Sequence, residues 1–202
     1  MTQPSPVFRT RLAASAQDIA AAQRLRYSVF VRELGACGGL IDHAAQTEAD
    51  RFDPFADHLL LEDTAQPGAP VVGAYRLMSA AQAAAAGGFS AAPEFDLTPL
   101  LATGRPVLEL GRSCLLPAYR GGPAMMHLFA ALAQIAADRG DAIMFGVASF
   151  HGTDAGALTA PLAYLRQHHL APAHLRARAH GPGAAVMPAQ DPTDRKAALR
   201  DI

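Results

Sequence analysis

Two apolar runs, joined through a glycine turn and a helical pattern, constrain this chain more than any other feature. The first run is Val107-Leu108-Glu109-Leu110-Gly111-Arg112-Ser113-Cys114-Leu115-Leu116. A turn follows from Pro117 to Pro123. Met125, Leu128, Phe129, Leu132 and Ile135 then recur at steps of three and four, the spacing of one helix face. The second run extends from Ala142 to Phe150. Strand, turn, helix and strand in that order make a βαβ unit.

That unit contains an anomaly. Glu109 and Arg112 interrupt a strand that is otherwise apolar. Strands covered by helices on both faces read as nearly continuous apolar runs, and buried charges are almost always paired. The two residues therefore form either a structural ion pair or part of a cleft in which ionisable groups do chemistry. The turn admits a similar pair of readings. Helix N-termini present unpaired N–H groups and partial positive charge, which suits a phosphate beside Arg120, Gly121 and Gly122. The same residues also serve a plain tight turn. No Gly-Lys-Ser/Thr follows, and there is no G-x-G-x-x-G, so neither nucleotide-binding loop pattern is present.

The length of 202 residues suits one domain, and the formal net charge of −1 provides no global field to recruit nucleic acid or a membrane. Cys37 and Cys114 make no disulfide framework and favour a reducing compartment. No run approaches a membrane span, no signal-peptide pattern opens the chain, and no Cys/His spacing suggests a metal site.

From the start of the chain, Phe8 to Ala13 alternates as a strand. Ser15 and Asp18 resemble a capping box for a helix running to about Leu34, with Arg26 and Phe30 sharing a face. Residues 35–55 read as a long irregular loop carrying Asp42, Glu48, Asp50 and Asp53, and loops of this length are functional or mobile. Leu59 to Glu62 and Val71 to Met78 form an antiparallel hairpin, with Arg76 as another charge within an apolar strand. Ser79 caps a short alanine helix. Asp154 is placed to cap a helix that Pro161 would break or restart. Leu175 to His180 alternates as a late strand, and Asp191 to Ile202 begins a charged helix that stops short, which suggests an incomplete chain. Cys114 reads as a small buried apolar residue. His58 and His151 flank strands as candidates for pocket lining, and His168-His169 belong at an exposed helix end.

A more specific set of motifs runs through this frame. They are Arg26-Tyr27-Ser28-Val29-Phe30, Glu33-Leu34-Gly35-Ala36, Asp50, Asp53, Asp57-His58-Leu59-Leu60 and Val72-Gly73-Ala74-Tyr75-Arg76-Leu77. Glu94-Phe95-Asp96-Leu97, Leu108-Glu109-Leu110-Gly111-Arg112-Ser113-Cys114, Tyr119-Arg120 and Ala148-Ser149-Phe150-His151-Gly152 follow in order. The set resembles the L-ornithine Nα-acyltransferases of ornithine-lipid synthesis, a branch of the GNAT fold related to acyl-homoserine-lactone synthases. The resemblance implies an α/β (α+β) fold with a mixed, mostly antiparallel central sheet, splayed central strands and flanking helices. It covers roughly Arg26 to His180, within a single domain over residues 1–202. Two departures stand out. Where the lactone synthases carry a Trp after the Leu-Gly pair, this chain has Ala36 and no Trp at all. That argues against binding S-adenosylmethionine in their manner. The resembled family also continues past Asp194 to Arg200 with more strand and helix.

The resemblance further implies transfer of a (3-hydroxy)fatty acyl group from acyl carrier protein to the α-amine of ornithine. Glu109 is the expected base, directly or through water, with Arg112 beside it as a catalytic group. Arg26, Phe30, Asp50, Asp53, Arg76 and Ser149 are expected to shape the amino-acid end. Leu115, through its backbone N–H, and Tyr119, Arg120, Gly121 and Gly122 are expected to hold the pantetheine arm. No cofactor or metal is expected beyond the 4'-phosphopantetheine arm of the substrate. The expected setting is cytoplasmic, with peripheral contact at the inner membrane face because the product is a lyso-lipid. A lactone-type synthase, an N-acyltransferase for another amino acid such as glycine, and a non-catalytic carrier-binding module are the competing readings.

Overall fold

The computed structural model describes residues 5–150, 154, 156–185 and 187–188. His151, Gly152 and the charged terminal helix expected over Asp191 to Ile202 lie outside them. The chain clusters into two compact units, one of residues 1–90 and 106–146, the other of residues 91–105 and 147–202.

In the first unit, β1 (Phe8–Leu12) leads through Ser15, whose hydroxyl accepts the Asp18 N–H, into α1 (Ala16–Arg26). The helix continues from Tyr27 to Glu33 in π form, so the end of this segment is wound more widely than sequence periodicity indicates. The expected irregular loop contains a small antiparallel pair, β2 (Leu40–Asp42) and β3 (Thr47–Ala49). The hairpin of β4 (Asp57–Asp63) and β5 (Val71–Ser79) follows. Ser79 and Gln82 close a full capping box on α2 (Ala80–Ala85). In the second unit, β6 (Phe95–Asp96) precedes α3 (Thr98–Leu101). The chain then returns to the first unit with β7 (Val107–Leu115), α4 (Ala124–Arg139) and β8 (Ile143–Gly146).

The main sheet has the order β1-β4-β5-β7-β8. Every pairing is antiparallel except that of β7 with β8, which is parallel, as the βαβ unit requires. Alternating strand residues divide the sheet into two faces. On one face Leu59, Leu61, Leu77, Leu108 and Leu115 pack beneath Ala124, Leu128, Leu132 and Ala136 of α4. On the other, Leu60, Ala74 and Cys114 pack beneath Ala22, Leu25 and Val29 of α1.

Two irregularities in β7 set up the rest of the molecule. Its register against β5 slips between Ala74↔Cys114 and Arg76↔Gly111, so Arg112 and Ser113 together oppose Tyr75. This is a β-bulge, and Arg112 adopts φ +51°, a conformation that costs a residue with a Cβ about 1–3 kcal/mol. The second irregularity is the length of the partner. β8 pairs only with Val107 to Leu110 and ends at Gly146, although the apolar run in the sequence continues to Phe150. The last contact is close. A Cβ on Gly146 would lie 2.2 Å from the Leu110 carbonyl oxygen. Gly146→Ala is therefore expected to force β8 outward and cost about 1–3 kcal/mol, read as a lower urea midpoint. An unchanged midpoint would mean that the strands do not approach there.

In the second unit, α5 (Thr159–His169) starts later than expected. Asp154 does not cap it: its side chain accepts the Gly156 N–H in a local turn, and Leu158 holds the N-cap position. Pro161 sits in the first turn, where a missing N–H leaves no hydrogen bond unmade, so it neither breaks nor restarts the helix. His168 and His169 end it, exposed. The late strand shortens to β9 (Arg178–Ala179), paired antiparallel with β6. No helix among the described residues is long and apolar enough to cross a membrane.

Candidate active site

The polar residues of the sheet collect on the face that α1 leaves partly uncovered. His58, Arg76 and Gly111 lie in register across three strands, and Met78 lies opposite Glu109 one step further along. Alternation places Arg76, His58 and Glu109 on the same face as Leu60, Ala74 and Cys114. β3, with Glu48, and the β3–β4 connection, with Asp50 and Asp53, supply the acidic partners.

Three arginines and three carboxylates interlock there. Arg26 is 1% exposed and meets Asp53 through both ends of its fork, Nη1 to Oδ1 at 2.8 Å and Nη2 to Oδ2 at 2.5 Å. Its Nε and Nη2 also donate to the Glu48 carbonyl. Arg76 Nη1 donates to both oxygens of Asp50 at 2.6 and 2.5 Å, and lies 3.4 Å from Asp53 Oδ1. Arg112 reaches Asp50 Oδ2 through Nε at 3.2 Å and Nη2 at 3.0 Å, and its Nη2 stands 3.4 Å from Glu48 Oε1. Gln23 donates to Asp53 as well. Burial raises the Asp53 carboxyl, but the hydrogen bond and charge of Arg26, with Gln23 and His58 adding to them, prevail and hold it near 2. Asp50 is likewise raised by burial and pulled below its ordinary value by Arg76. Burial pushes the His58 imidazole below its ordinary value, so it is more readily neutral, and Nε2 contacts the Asp53 carbonyl.

This arrangement brings together Arg26, Asp50, Asp53, Arg76 and Arg112, though not as separate arms reaching into a cleft. Arg26, Asp53 and Arg76 are buried and hold one another. Arg26, expected to shape the amino-acid end, is fully buried, because the Asp53 carboxylate and the Glu48 carbonyl take up its donors. Asp50 and Arg112 keep more exposure, with side chains 13% and 36% accessible. Phe30 is half-buried beneath Arg112, whose guanidinium carbon is 6.0 Å from the ring centre. Ser149 lies in the second unit and is exposed.

Glu109 is 3% exposed, and its Oε2 accepts the Ser90 N–H at 2.9 Å. The loop that delivers this N–H follows two glycines with positive φ, and Phe89 within it meets Phe145 of β8 edge-on at 5.1 Å between centroids. Glu109 sits within the last stretch of β7 that β8 still pairs. Beyond Leu110, no strand among the described residues pairs with that edge of β7. The Leu116 N–H donates to the Val72 carbonyl on β5. Backbone directions alternate along a strand, so the Leu115 N–H and carbonyl face the open edge.

The Leu115 carbonyl is already engaged on that edge. Arg120 Nε and Nη2 donate to it at 3.1 and 2.9 Å, while Nη1 and Nη2 reach the Glu33 carboxylate at 2.5 and 2.8 Å. A guanidinium has five N–H groups, and these contacts occupy four. Arg120 is thus a strut between β7 and the end of the first helix. The groups beside it that suit an anion are the backbone N–Hs of the turn, where Gly121 takes φ +71°, and the first turn of α4, which has no side-chain cap. The Tyr119 hydroxyl donates to Asp63 Oδ2 at 2.9 Å. A cleft of about 160 Å³ opens at this turn, bounded by Phe8, Asp63, Tyr119, Arg120, Gly122 and Pro123, and Glu109 does not line it. Cys114 is buried and its thiol is pushed up to about 12, which fits a packing role.

Sequence reasoning gave no site role to Glu48, Gln23 or Ser90. Glu48 and Gln23 lack a signal of their own, because an acid in a polar loop and a Gln on a helix are ordinary surface residues. Ser90 contributes only its N–H, which any residue except proline provides.

Residues 25–130 match the model of the acetyltransferase (GNAT) domain. The chain is 53% identical to an L-ornithine Nα-acyltransferase of Rhodobacter capsulatus, over 95% of this chain and 75% of that protein. It is 42% identical to the L-ornithine Nα-acyltransferase of Brucella abortus, over 80% of this chain and 59% of that one. Among solved structures, the acyl-homoserine-lactone synthase LasI matches with 15% identity and a TM-score of 0.49, covering 70% of this chain and 72% of LasI. The chain thus spans three quarters of the length of one of these relatives and under two thirds of the other.

Proposed function

Because the chain belongs to the L-ornithine Nα-acyltransferase family of GNAT-domain acyltransferases, we propose that it moves a 3-hydroxyacyl group from acyl carrier protein to the α-amine of ornithine. The observation that supports this most is the early end of β8 beside Glu109. It leaves a slot along β7, edged by the outward-facing Leu115 N–H, where an extended thioester arm fits between backbone groups.

The chemistry follows from those groups. The ornithine α-amine loses a proton to Glu109, directly or through a water, and its nitrogen attacks the thioester carbon. As negative charge builds on the carbonyl oxygen, the Leu115 N–H stabilises it. The C–N bond is made, the C–S bond breaks, and the departing thiolate takes up a proton to leave as the carrier's thiol. No covalent enzyme intermediate is needed. The turn N–Hs at Gly121 and Gly122 meet the phosphate of the arm, with Arg120 fixing the position of Leu115. The product is a lyso-lipid, so release at the inner membrane face completes the reading.

Carrier protein loaded with a 3-hydroxyacyl chain, offered with ornithine, lysine, glycine or S-adenosylmethionine, tests it. Thiol release is expected with ornithine above all the others. Release with S-adenosylmethionine alone would point to a lactone-type synthase, and carrier binding without thiol release to a binding module. Arg120→Ala is expected to raise the KM for the carrier about tenfold, since it removes both charge-assisted contacts that fix the edge. An unchanged KM would remove Arg120 from carrier engagement.

A further inference from the structure

Of the three carboxylates in the charge cluster, Glu48 is the poorly satisfied one. It is 3% exposed, and among the described residues its Oε2 has no hydrogen-bond donor. Arg26 Nε lies 2.7 Å from that oxygen, but its N–H is directed at the Glu48 carbonyl. Among the described residues, the other oxygen, Oε1, has only the loose 3.4 Å approach of Arg112. Asp50 and Asp53, by contrast, receive well-directed donors from Arg76 and Arg26. A buried carboxylate with spare acceptor capacity is costly unless a cation completes it.

Arg112 stands between Glu48 and Asp50 as a loosely held cation. It is the most exposed arginine of the cluster, its shortest contact, 3.0 Å, is longer than the 2.5 Å of Arg26 and Arg76, and it has the Phe30 ring to lie against when it turns. We propose that Glu48, together with Asp50, takes the side-chain ammonium of the amino-acid acceptor in exchange for the Arg112 guanidinium, which turns to the acceptor's carboxylate. This rests on the acyl-transfer reading above. The exchange keeps every charge paired: two carboxylates give up a guanidinium and gain an ammonium, and the guanidinium gains a carboxylate. An acceptor without a side-chain cation draws Arg112 away and leaves the buried Glu48 with Arg26, whose Nε–H is directed at the Glu48 carbonyl and not at its carboxylate. Glu48 is therefore a specificity-determining residue for cationic amino acids. Along β7, Glu109 and Arg112 then meet the two ends of the same α-carbon, the amine and the carboxylate.

Ornithine and norvaline share a carbon skeleton and differ by the terminal amine, so they isolate this contact. With 3-hydroxyacyl carrier protein as donor, the native protein is expected to favour ornithine by about a hundredfold or more in kcat/KM, as expected for a site whose buried polar group is left unpaired by the wrong substrate. Glu48→Gln is expected to reduce that preference to below about tenfold through loss of ornithine turnover, with norvaline turnover held or raised. Glu48→Asp keeps the charge, and so the fold, but withdraws the carboxylate by one methylene. It is expected to shift preference from ornithine towards lysine, which is longer by one methylene. A fall of both acceptors in parallel in either variant, with their ratio unchanged, would make Glu48 structural and overturn the proposal. A native protein inactive with both acceptors would overturn the acyl-transfer reading and this proposal with it.

Discussion

Glu109→Gln is expected to lower kcat by about a hundredfold to ten-thousandfold, the range a positioned general base contributes. The substitution is nearly isosteric. The amide oxygen of Gln still accepts the Ser90 N–H that now meets Glu109 Oε2 at 2.9 Å, so the loop carrying Phe89 stays in place. The slot along β7 and the turn before α4 are untouched, so carrier affinity should stay nearly intact. The split between lost turnover and retained binding is diagnostic. If Glu109 only anchored the Ser90 loop, Gln would serve almost as well and turnover would persist. Restored activity at high pH, where the amine arrives already deprotonated, would further mark the missing group as a base.

Arg26→Leu is expected to cost about 3–5 kcal/mol, a large part of the total stability of a domain this size. Arg26 is buried at 1% exposure with fork contacts to Asp53, and its removal leaves Asp53 and Glu48 as buried charges short of a partner. Arg24→Leu, one turn-edge away but exposed, should stay within about 0.5 kcal/mol and serves as the control. Urea midpoints read both. The same pair gives a pH signature. The folded-state pKa of Asp53 is depressed to about 2, while the ordinary aspartate value is about 3.9. A depressed carboxyl contributes stability that is fully present above the ordinary value and is lost as pH falls through the folded one. The native protein should therefore lose stability between about pH 4 and pH 2 from this group, on the order of 2 kcal/mol. Arg26→Leu should flatten that slope. An unchanged slope would mean that Asp53 is held down by something else.

Much of this fold was legible because its signals are local. The βαβ unit announces itself through a change of period from strand to helix and back, and Ser15 and Ser79 sit where helix starts need an acceptor. Of the conspicuous charges within β5 and β7, Arg76 and Arg112 meet the same acid, Asp50. What the residues did not disclose was long-range pairing. Arg26 and Asp53 are 27 positions apart and Arg112 and Asp50 are 62 apart, and nothing local says which acid meets which base. So Asp50 and Asp53 read as shaping the amino-acid end, while their ties to Arg76 and Arg26 left no mark in the sequence. The end of β8 was hidden for a different reason. The run from Ala142 carries no polar side chain before Ser149, and the strand stops at Gly146 all the same. The π-helical winding of Tyr27 to Glu33 leaves no mark in an apolar pattern that either helix type would satisfy.

The claim on which the rest depends is that the acyl arm occupies the slot opened along β7 after Leu110. A carrier protein bearing a non-hydrolysable acyl-pantetheine with a photoreactive group beside the carbonyl tests this directly, through the positions it labels. Label on Gly111 to Leu115, competed away by natural acyl carrier protein, is the expected result. Label confined to the cleft at Phe8, Asp63 and Tyr119, with none on β7, would contradict the account.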